Sequence, residues 1–145
     1  PEASLDVRVT AVSPGLFAAN ADGKGVAAAY ALRISAGGSS VTTPVFRMDN
    51  AARAFVPSPI DLGADSDQVY LLLFGTGLRG TSGFPSVLVG GEIGGVLFSG
   101  PHPEFAGLDQ VNVGPLPSRL MGRGEVSVLL FAEGAQANPV VVSIR

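Results

Sequence analysis

The sequence contains no cysteine and no tryptophan among its 145 residues, and it has a single histidine. Without cysteine there is no disulfide, no thiolate metal site and no cysteine nucleophile. Charged residues make up only 14% of the chain, against about 25% in a typical globular protein. We therefore expect an unusually neutral surface, part of which is apolar and exposed or covered by a partner.

Runs of like charge and long hydrophobic runs are also missing. The net charge of -3 at pH 7 is spread along the chain, so nucleic acid and anionic membranes are not expected partners. The longest apolar runs, such as VYLLLF (69–74), are far shorter than the 18 or more residues that span a bilayer. The start at Pro1, without a charged and then apolar leader, is typical of a processed or excised segment.

Apolar residues recur at every second position, which is the period of a β-strand. In LDVRVTAV (5–12) the residues Leu5, Val7 and Val9 fall on one face, which predicts a half-buried strand. The other predicted strands are 26–35, 40–49, 52–57, 68–75, 85–91, 95–100, 109–114, 124–134 and 138–145. Twenty glycines and eleven prolines separate them, at the spacing of a sandwich or barrel. The sequence predicts one all-β domain over residues 1–145, with a short helical turn only around 107–111.

Several glycine-bearing segments occur in a recognisable order. They are SPGLFAANADGKGVAAA (13–29), VYLLLFGTGLRG (69–80), VGGEIGGVLFSGPHPEFAGLDQVNV (89–113) and GRGEVSVLLFAEGAQANPVVVSI (122–144). In this order they resemble the uncharacterised C-terminal domain family found on large secreted and surface proteins of soil acidobacteria. The resemblance implies an extracellular or cell-surface immunoglobulin-like β-sandwich of about 8–10 strands. It implies no assigned activity and supplies no catalytic residues.

Members of that family have further β-rich sequence before the part that corresponds to LDVRVTAVSPGLF (5–17). The resemblance therefore implies a sandwich that is completed by a strand from a neighbouring chain, because an open sheet edge accepts an added strand. The candidate donor is PEASLDVRV (1–9), with Leu5, Val7 and Val9 as its partner-binding residues.

Three aspartates lie close together in PIDLGADSDQ (59–68), namely Asp61, Asp65 and Asp67. Oxygen-rich loops of this kind can hold calcium, which takes six to eight oxygen ligands, and Asp49 is a further candidate ligand. The spacing fits no established calcium loop, so a solvated turn is favoured over a metal site. No other cofactor is expected.

Candidate catalytic residues are few. His102 lies between two prolines, and the chain has no G-x-S-x-G elbow. Because nucleophilic catalysis needs a hydroxyl or thiol beside the base, an exposed loop histidine is favoured.

FGTGLRG (74–80) lacks the lysine and the following helix of a phosphate-binding loop, so its glycines are predicted to allow positive φ or close chain approach. A hydrolase that uses His102 and the carboxylates is the least favoured function.

Polar and apolar residues alternate in FAGLDQVNVGPLP (105–117). Asp109 is expected to accept backbone N–H groups, and Gln110 and Asn112 are expected to bridge adjacent strands. Pro115 is expected to end the strand, since proline has no N–H to donate. This stretch is predicted to be a structural junction rather than a ligand site.

Eight of the nine basic residues are arginine, and Arg119 and Arg123 flank the turn before the last predicted hairpin. Arginine is favoured at protein interfaces, so both are candidate partner-binding residues, with a solvated loop as the equal alternative.

The predicted function is a non-enzymatic extracellular module that contacts copies of itself or adjoining domains, including a homopolymeric surface fibre. The alternative is glycan or calcium binding through loops 57–67 and 99–110.

Overall fold

The computed structural model describes residues 4–7 and 9–145, which form fourteen β-strands and one short 3-10 helix, Ser118–Leu120. The strands are β1 (Gly15–Leu16), β2 (Ala29–Ile34), β3 (Ser40–Pro44), β4 (Phe46–Asp49), β5 (Ala54–Pro57), β6 (Pro59–Ile60), β7 (Gln68–Thr76), β8 (Ser86–Val89), β9 (Glu92–Gly94), β10 (Val96–Pro101), β11 (Asp109–Val113), β12 (Gly124–Ala132), β13 (Ala135–Gln136) and β14 (Val140–Ile144). The prediction of an all-β chain is confirmed. Within these two ranges no helix has the length and apolar character needed to cross a bilayer.

Most strands belong to two sheets. Sheet one has the order β10-β11-β7-β2-β3, with β1 also paired to β7. Sheet two has the order β6-β14-β12-β8-β9, with β13 also paired to β12. The pairs are antiparallel except for β6 with β14. The hairpin β4–β5 stands apart from both sheets.

A single apolar core lies between the two sheets and joins them into a β-sandwich. Sheet one contributes Val69, Leu71 and Leu73 from β7, and sheet two contributes Val128 and Leu130 from β12. Each of these side chains is almost completely buried, which stabilises the fold by about 1.5–3 kcal/mol per residue. The period-two pattern arises because alternate side chains of a strand point to opposite faces.

Three predicted elements differ in the structure. The predicted strand 5–12 is absent, since residues 4–7 and 9–12 pair with neither sheet and Arg8 lies outside the described residues. The predicted strand 40–49 is divided at Val45, which is buried in the core and separates β3 from β4. The predicted helical turn around 107–111 is replaced by the start of β11, and the helical turn lies at Ser118–Leu120 instead.

Candidate protein interface

Residues 5–9, called the arm from here on, carry three apolar side chains that lie outside both sheets. Leu5 is 87% exposed, Val7 is 75% exposed and Val9 is 89% exposed. Among residues 4–7 and 9–145 nothing covers them, although their alternation is typical of a strand with one buried face. Residues 1–3 of the predicted donor segment, and Arg8, lie outside the described residues.

The arm leaves the sandwich at the end of β7. The backbone N–H of Ser13 donates to the carbonyl of Gly77 at 3.2 Å. Gly77 has a φ of +78°, and a side chain there would overlap the Ser13 carbonyl. Gly80 is packed in the same way against the carbonyl of Ala11. The predicted role of these glycines, close approach of a second chain segment at a strand end, is confirmed.

The outer edge of sheet one is open at β3. This strand, SVTTP, pairs with β2 on one side, and all five of its residues are exposed. Its register places Val41 opposite Arg33 and Thr43 opposite Ala31. Ala31 is buried in the core, so Val41 and Thr43 point to the inner face of the sandwich, since residues opposite each other share a face. Val41 is nevertheless 61% exposed.

A groove of about 470 Å³ runs between β3 and β6, where the two sheets come apart, and we call it the edge groove. Its floor includes the buried side chains of Ala31, Ile60 and Val69, and its rim includes Val41 and Thr43. An apolar floor beside an uncharged strand is what an added strand requires, because alternate side chains fill the groove while the backbone pairs with the edge.

One end of the edge groove is polar. Arg33 donates from Nε to Asp67 Oδ2 at 2.8 Å and from Nη1 to Asp61 Oδ2 at 3.3 Å, and Arg145 reaches the same Asp61 oxygen at 3.0 Å. The backbone N–H of Gly63, helped by Arg145, lowers the pKa of Asp61 below its usual value. Both carboxylates are therefore held by donors inside the chain.

This network bears on the predicted calcium site. Asp61 and Asp67 share Arg33, while Asp65 and Asp49 make no ion pair with it. Over the described ranges, no group of three or more histidine or carboxylate side chains stands close enough to hold a metal ion. The three aspartates are near in sequence, and Arg33 bridges two of them, Asp61 and Asp67.

The outer face of sheet one is apolar as well, which the period-two pattern did not predict. The alternate residues of β7 and β2 that point away from the core include Leu72, Phe74, Tyr30 and Leu32, and these are exposed or only half-buried. The rings of Tyr30 and Phe74 meet edge to face at 6.0 Å. Strands that are apolar on both faces are typical of sheets covered on both sides.

The 105–117 stretch behaves as a structural junction. Asp109 is fully buried, and its Oδ2 accepts the backbone N–H of Leu78 at 2.9 Å while its Oδ1 accepts Arg79 Nε at 2.6 Å. Gln110 and Asn112 do not bridge strands as predicted, because Gln110 Nε2 donates to Asn112 Oδ1 within β11 at 2.7 Å. They lie two residues apart on one face, so they meet each other first.

The two candidate partner-binding arginines pair within the chain. Arg119 Nε donates to Glu92 Oε2 at 2.5 Å, and Arg123 Nη2 donates to Glu92 Oε1 at 3.3 Å. Arg123 also donates from Nη1 to the carbonyl of Gly90 at 2.9 Å. These contacts hold the β8–β9 turn against the loop before β12, and the role of both arginines in partner binding stays a prediction.

His102 has a local structural role. Its Nδ1 accepts the backbone N–H groups of Glu104 at 3.1 Å and Phe105 at 3.3 Å. Its ring lies between Phe74 and Phe105, with centroids 5.9 and 5.0 Å away. The nitrogen that could act as a base is used to close the loop, and aromatic rings rather than hydroxyl groups flank the imidazole.

Comparison with known proteins identified no related protein. A scan against protein-family models matched none of them, and searches of curated proteins and of solved structures found no match. The resemblance to the acidobacterial family stays a prediction, and the function is inferred from contacts, exposure and charge alone.

Proposed function

We propose that this chain is a non-enzymatic structural module that assembles with copies of itself through protein contacts, as a subunit of an extracellular or cell-surface fibre. The observation that carries the proposal is the arm, whose Leu5, Val7 and Val9 alternate as in a strand and are each at least 75% exposed. Apolar side chains spaced for a sheet but left without one are best satisfied by another chain. The extracellular setting rests on the family resemblance.

Burial of the arm contributes an energy of the same size as the cost of association. Burial of three Val or Leu side chains contributes about 5–9 kcal/mol, and main-chain hydrogen bonds to a sheet edge add to this. Association costs about 4–15 kcal/mol in lost freedom of motion. Burial of the arm therefore roughly offsets the cost of association, and net affinity depends on the main-chain hydrogen bonds and on further contacts such as the apolar outer face of sheet one.

The sequence and contacts offer little for catalysis. His102 binds backbone N–H groups through Nδ1, and the carboxylates of Asp61, Asp67 and Asp109 are paired with arginines. A general acid or base needs a free lone pair or proton directed at a substrate, and these groups are already engaged. This supports a structural role.

Sedimentation velocity over a wide concentration range tests the proposal. We expect the wild-type chain to form species larger than a monomer, and a variant with Leu5→Asp, Val7→Asp and Val9→Asp to sediment as a monomer with unchanged melting temperature. Ile93→Asp is the matched control, since Ile93 is 80% exposed on β9 and lies outside the arm. A wild-type chain that stays monomeric at every concentration would refute self-assembly.

Glycan recognition is the second candidate, and the loop 99–110 favours it. This loop brings His102 and Phe105 beside Phe74 and Tyr30, which forms a row of rings across the outer face of sheet one. Sugars stack on aromatic rings and bond to amides, and Gln110 lies opposite Phe74 on the same outer face. A glycan array tests this candidate, with binding that is lost in Tyr30→Ala as the supporting result and an array without hits as the opposing one.

A further inference from the structure

We infer that the acceptor of the arm is the edge groove of a second copy, where the arm adds to sheet one as a new strand beside β3. This inference rests on the proposed self-assembly and names the surface that receives the arm. It follows from the free backbone groups of β3, the shape of the groove and the distance between the groove and the arm of the same chain.

The backbone of β3 has hydrogen-bonding groups that point away from the sheet. In an antiparallel pair, alternate residues bond to the neighbouring strand and the others point outward. Val45 donates to the Ala29 carbonyl at 3.1 Å, so in the same register Val41 and Thr43 bond to β2. Ser40 and Thr42 therefore direct their backbone groups outward, and within residues 4–7 and 9–145 no backbone partner meets them.

β3 also lacks the features that protect an edge strand from pairing. Natural edges are blocked by charged side chains, bulges or coverage by a loop. The sequence SVTTP contains no charge, its ladder with β2 runs from Ser40 to Pro44 without a shift in register, and all five residues are exposed. Only Pro44, at the end of the strand, limits pairing.

The side chains of the arm match this edge in number and spacing. The arm and β3 are both five residues long. When the arm pairs as a strand, Leu5, Val7 and Val9 share one face. With that face inward, they cover Val41 and the floor of the edge groove, and Asp6 points to solvent beside Ser40 and Thr42. The apolar part of the inner face is then covered along the length of β3.

The arm of the same chain is too short to occupy this position. Val9 is four residues before Ser13, so it lies within about 14 Å of it, and Ser13 is bonded to Gly77. The register places Pro44 level with Leu72, five residues from Gly77. Ser13 already lies one strand spacing from β7 on the β2 side, because Leu16 and Asp109 flank Gly75 on opposite sides. An added strand beside Pro44 is therefore about 16 Å away from Ser13 along the strand direction and about 10 Å across two strand spacings, or about 19 Å in total. A second copy must supply the arm.

The arm and the groove lie toward opposite ends of the molecule. The centre of the groove is level with Val69 near the start of β7, whereas the arm leaves at Gly77, which is about 26 Å further along the strand. A contact between two different surfaces of identical chains repeats head to tail and forms an open chain unless it closes into a ring. This geometry gives a fibre one donor end and one acceptor end.

Disulfide trapping tests the inference directly, because the native chain has no cysteine. A Val7→Cys variant is mixed with a Val41→Cys variant under mild oxidation, and the control mixture pairs Val7→Cys with Ile93→Cys. Disulfides form only when the two Cα atoms are about 4.4–6.8 Å apart. We expect at least about tenfold more cross-linked heterodimer in the first mixture than in the control.

A backbone test complements the trapping experiment. Thr42→Pro removes the outward N–H of β3 but no bond to β2, and proline is tolerated on an edge strand in this orientation. Thr42→Val is the matched control, because it keeps the N–H. We expect Thr42→Pro to weaken association about tenfold, by loss of a hydrogen bond to the added strand, while both variants keep the wild-type melting temperature within a few degrees.

The outcomes separate this inference from the proposed function. Cross-linking between positions 7 and 41, with weaker association of Thr42→Pro, supports the edge groove as acceptor. Assembly that depends on the arm but shows no excess of 7–41 cross-links and no effect of Thr42→Pro overturns the edge groove and leaves self-assembly standing. A wild-type chain that is monomeric throughout overturns both.

Discussion

Replacement of Asp109 by alanine is expected to destabilise the fold more than any other removal of a single charge. Its carboxylate is fully buried between β7 and β11, and it accepts the buried N–H of Leu78 at 2.9 Å and Arg79 Nε at 2.6 Å. Asp109→Ala leaves the Leu78 N–H without a partner in a region that excludes water.

The two contacts differ in their expected contributions. An orphaned buried N–H costs about 1–3 kcal/mol. The ion pair adds under about 1 kcal/mol, since the Arg79 side chain is 47% exposed and its charge returns to water. The expected loss of unfolding free energy is about 1–4 kcal/mol, which corresponds to a melting temperature lower by about 4–16 °C in a domain of this size.

Differential scanning calorimetry and urea unfolding would measure this loss. Asp109→Asn is the first control, because it removes the charge but keeps a side-chain oxygen that can accept the Leu78 N–H, so it is expected to cost less than Asp109→Ala. Asp22→Ala is the second control, since Asp22 only accepts the exposed N–H of Lys24. If Asp109→Ala costs no more than Asp109→Asn, the bond to the Leu78 N–H is not what makes Asp109 important.

Three further predictions concern backbone strain, pH and calcium. Gly77→Ala is expected to lower the unfolding free energy by at least about 1–2 kcal/mol, because φ is positive there and the methyl group meets a neighbouring carbonyl; Gly83→Ala, which has open space, is expected to be nearly neutral by thermal unfolding. The backbone N–H and hydroxyl of Ser82 lower the pKa of Glu133 below 4.5, so the stability that Glu133 contributes is complete above pH 4.5 and is lost as pH falls through the lower folded-state pKa. The difference in unfolding free energy between wild type and Glu133→Gln should therefore become smaller in that acid range, and a difference that stays constant with pH would contradict this. The melting temperature should not change with calcium or a chelator, since Arg33 holds Asp61, and a rise with calcium would support the predicted metal site instead.

Much of the sandwich could be predicted from local sequence. β7, β11, β12 and β14 follow runs in which alternation and β-branched residues agree, and their predicted bounds lie close to the observed ones. The division between β3 and β4 was missed, although Pro44 interrupts the alternation in SVTTPVFRMD and is a local signal that a strand ends. The burial of Val45 in the core, between the two strands, had no such signal.

The candidate interface was predicted in part. The alternation of Leu5, Val7 and Val9 identified the arm, but it also predicted that the arm pairs with a strand of its own chain. Such pairing requires an unpaired sheet edge within reach of the arm, and local sequence does not show whether one exists. The edge groove had no local signal, since it forms between β3 and a strand of the other sheet. The apolar outer face of sheet one did have a local sequence signal. In VYLLLF both the odd-numbered and the even-numbered positions are apolar, which indicates a strand covered on both sides.

The separation of arm and groove along β7 also affects how growth would stop. A linear fibre of any length has one unoccupied edge groove at one end and one unbound arm at the other, so the subunit itself does not set the number of subunits. Length must then be limited from outside, by subunit supply or by a blocking molecule. A synthetic LDVRV peptide would fill the unoccupied edge groove and act as a chain stopper, so average polymer length should fall as its ratio to protein rises.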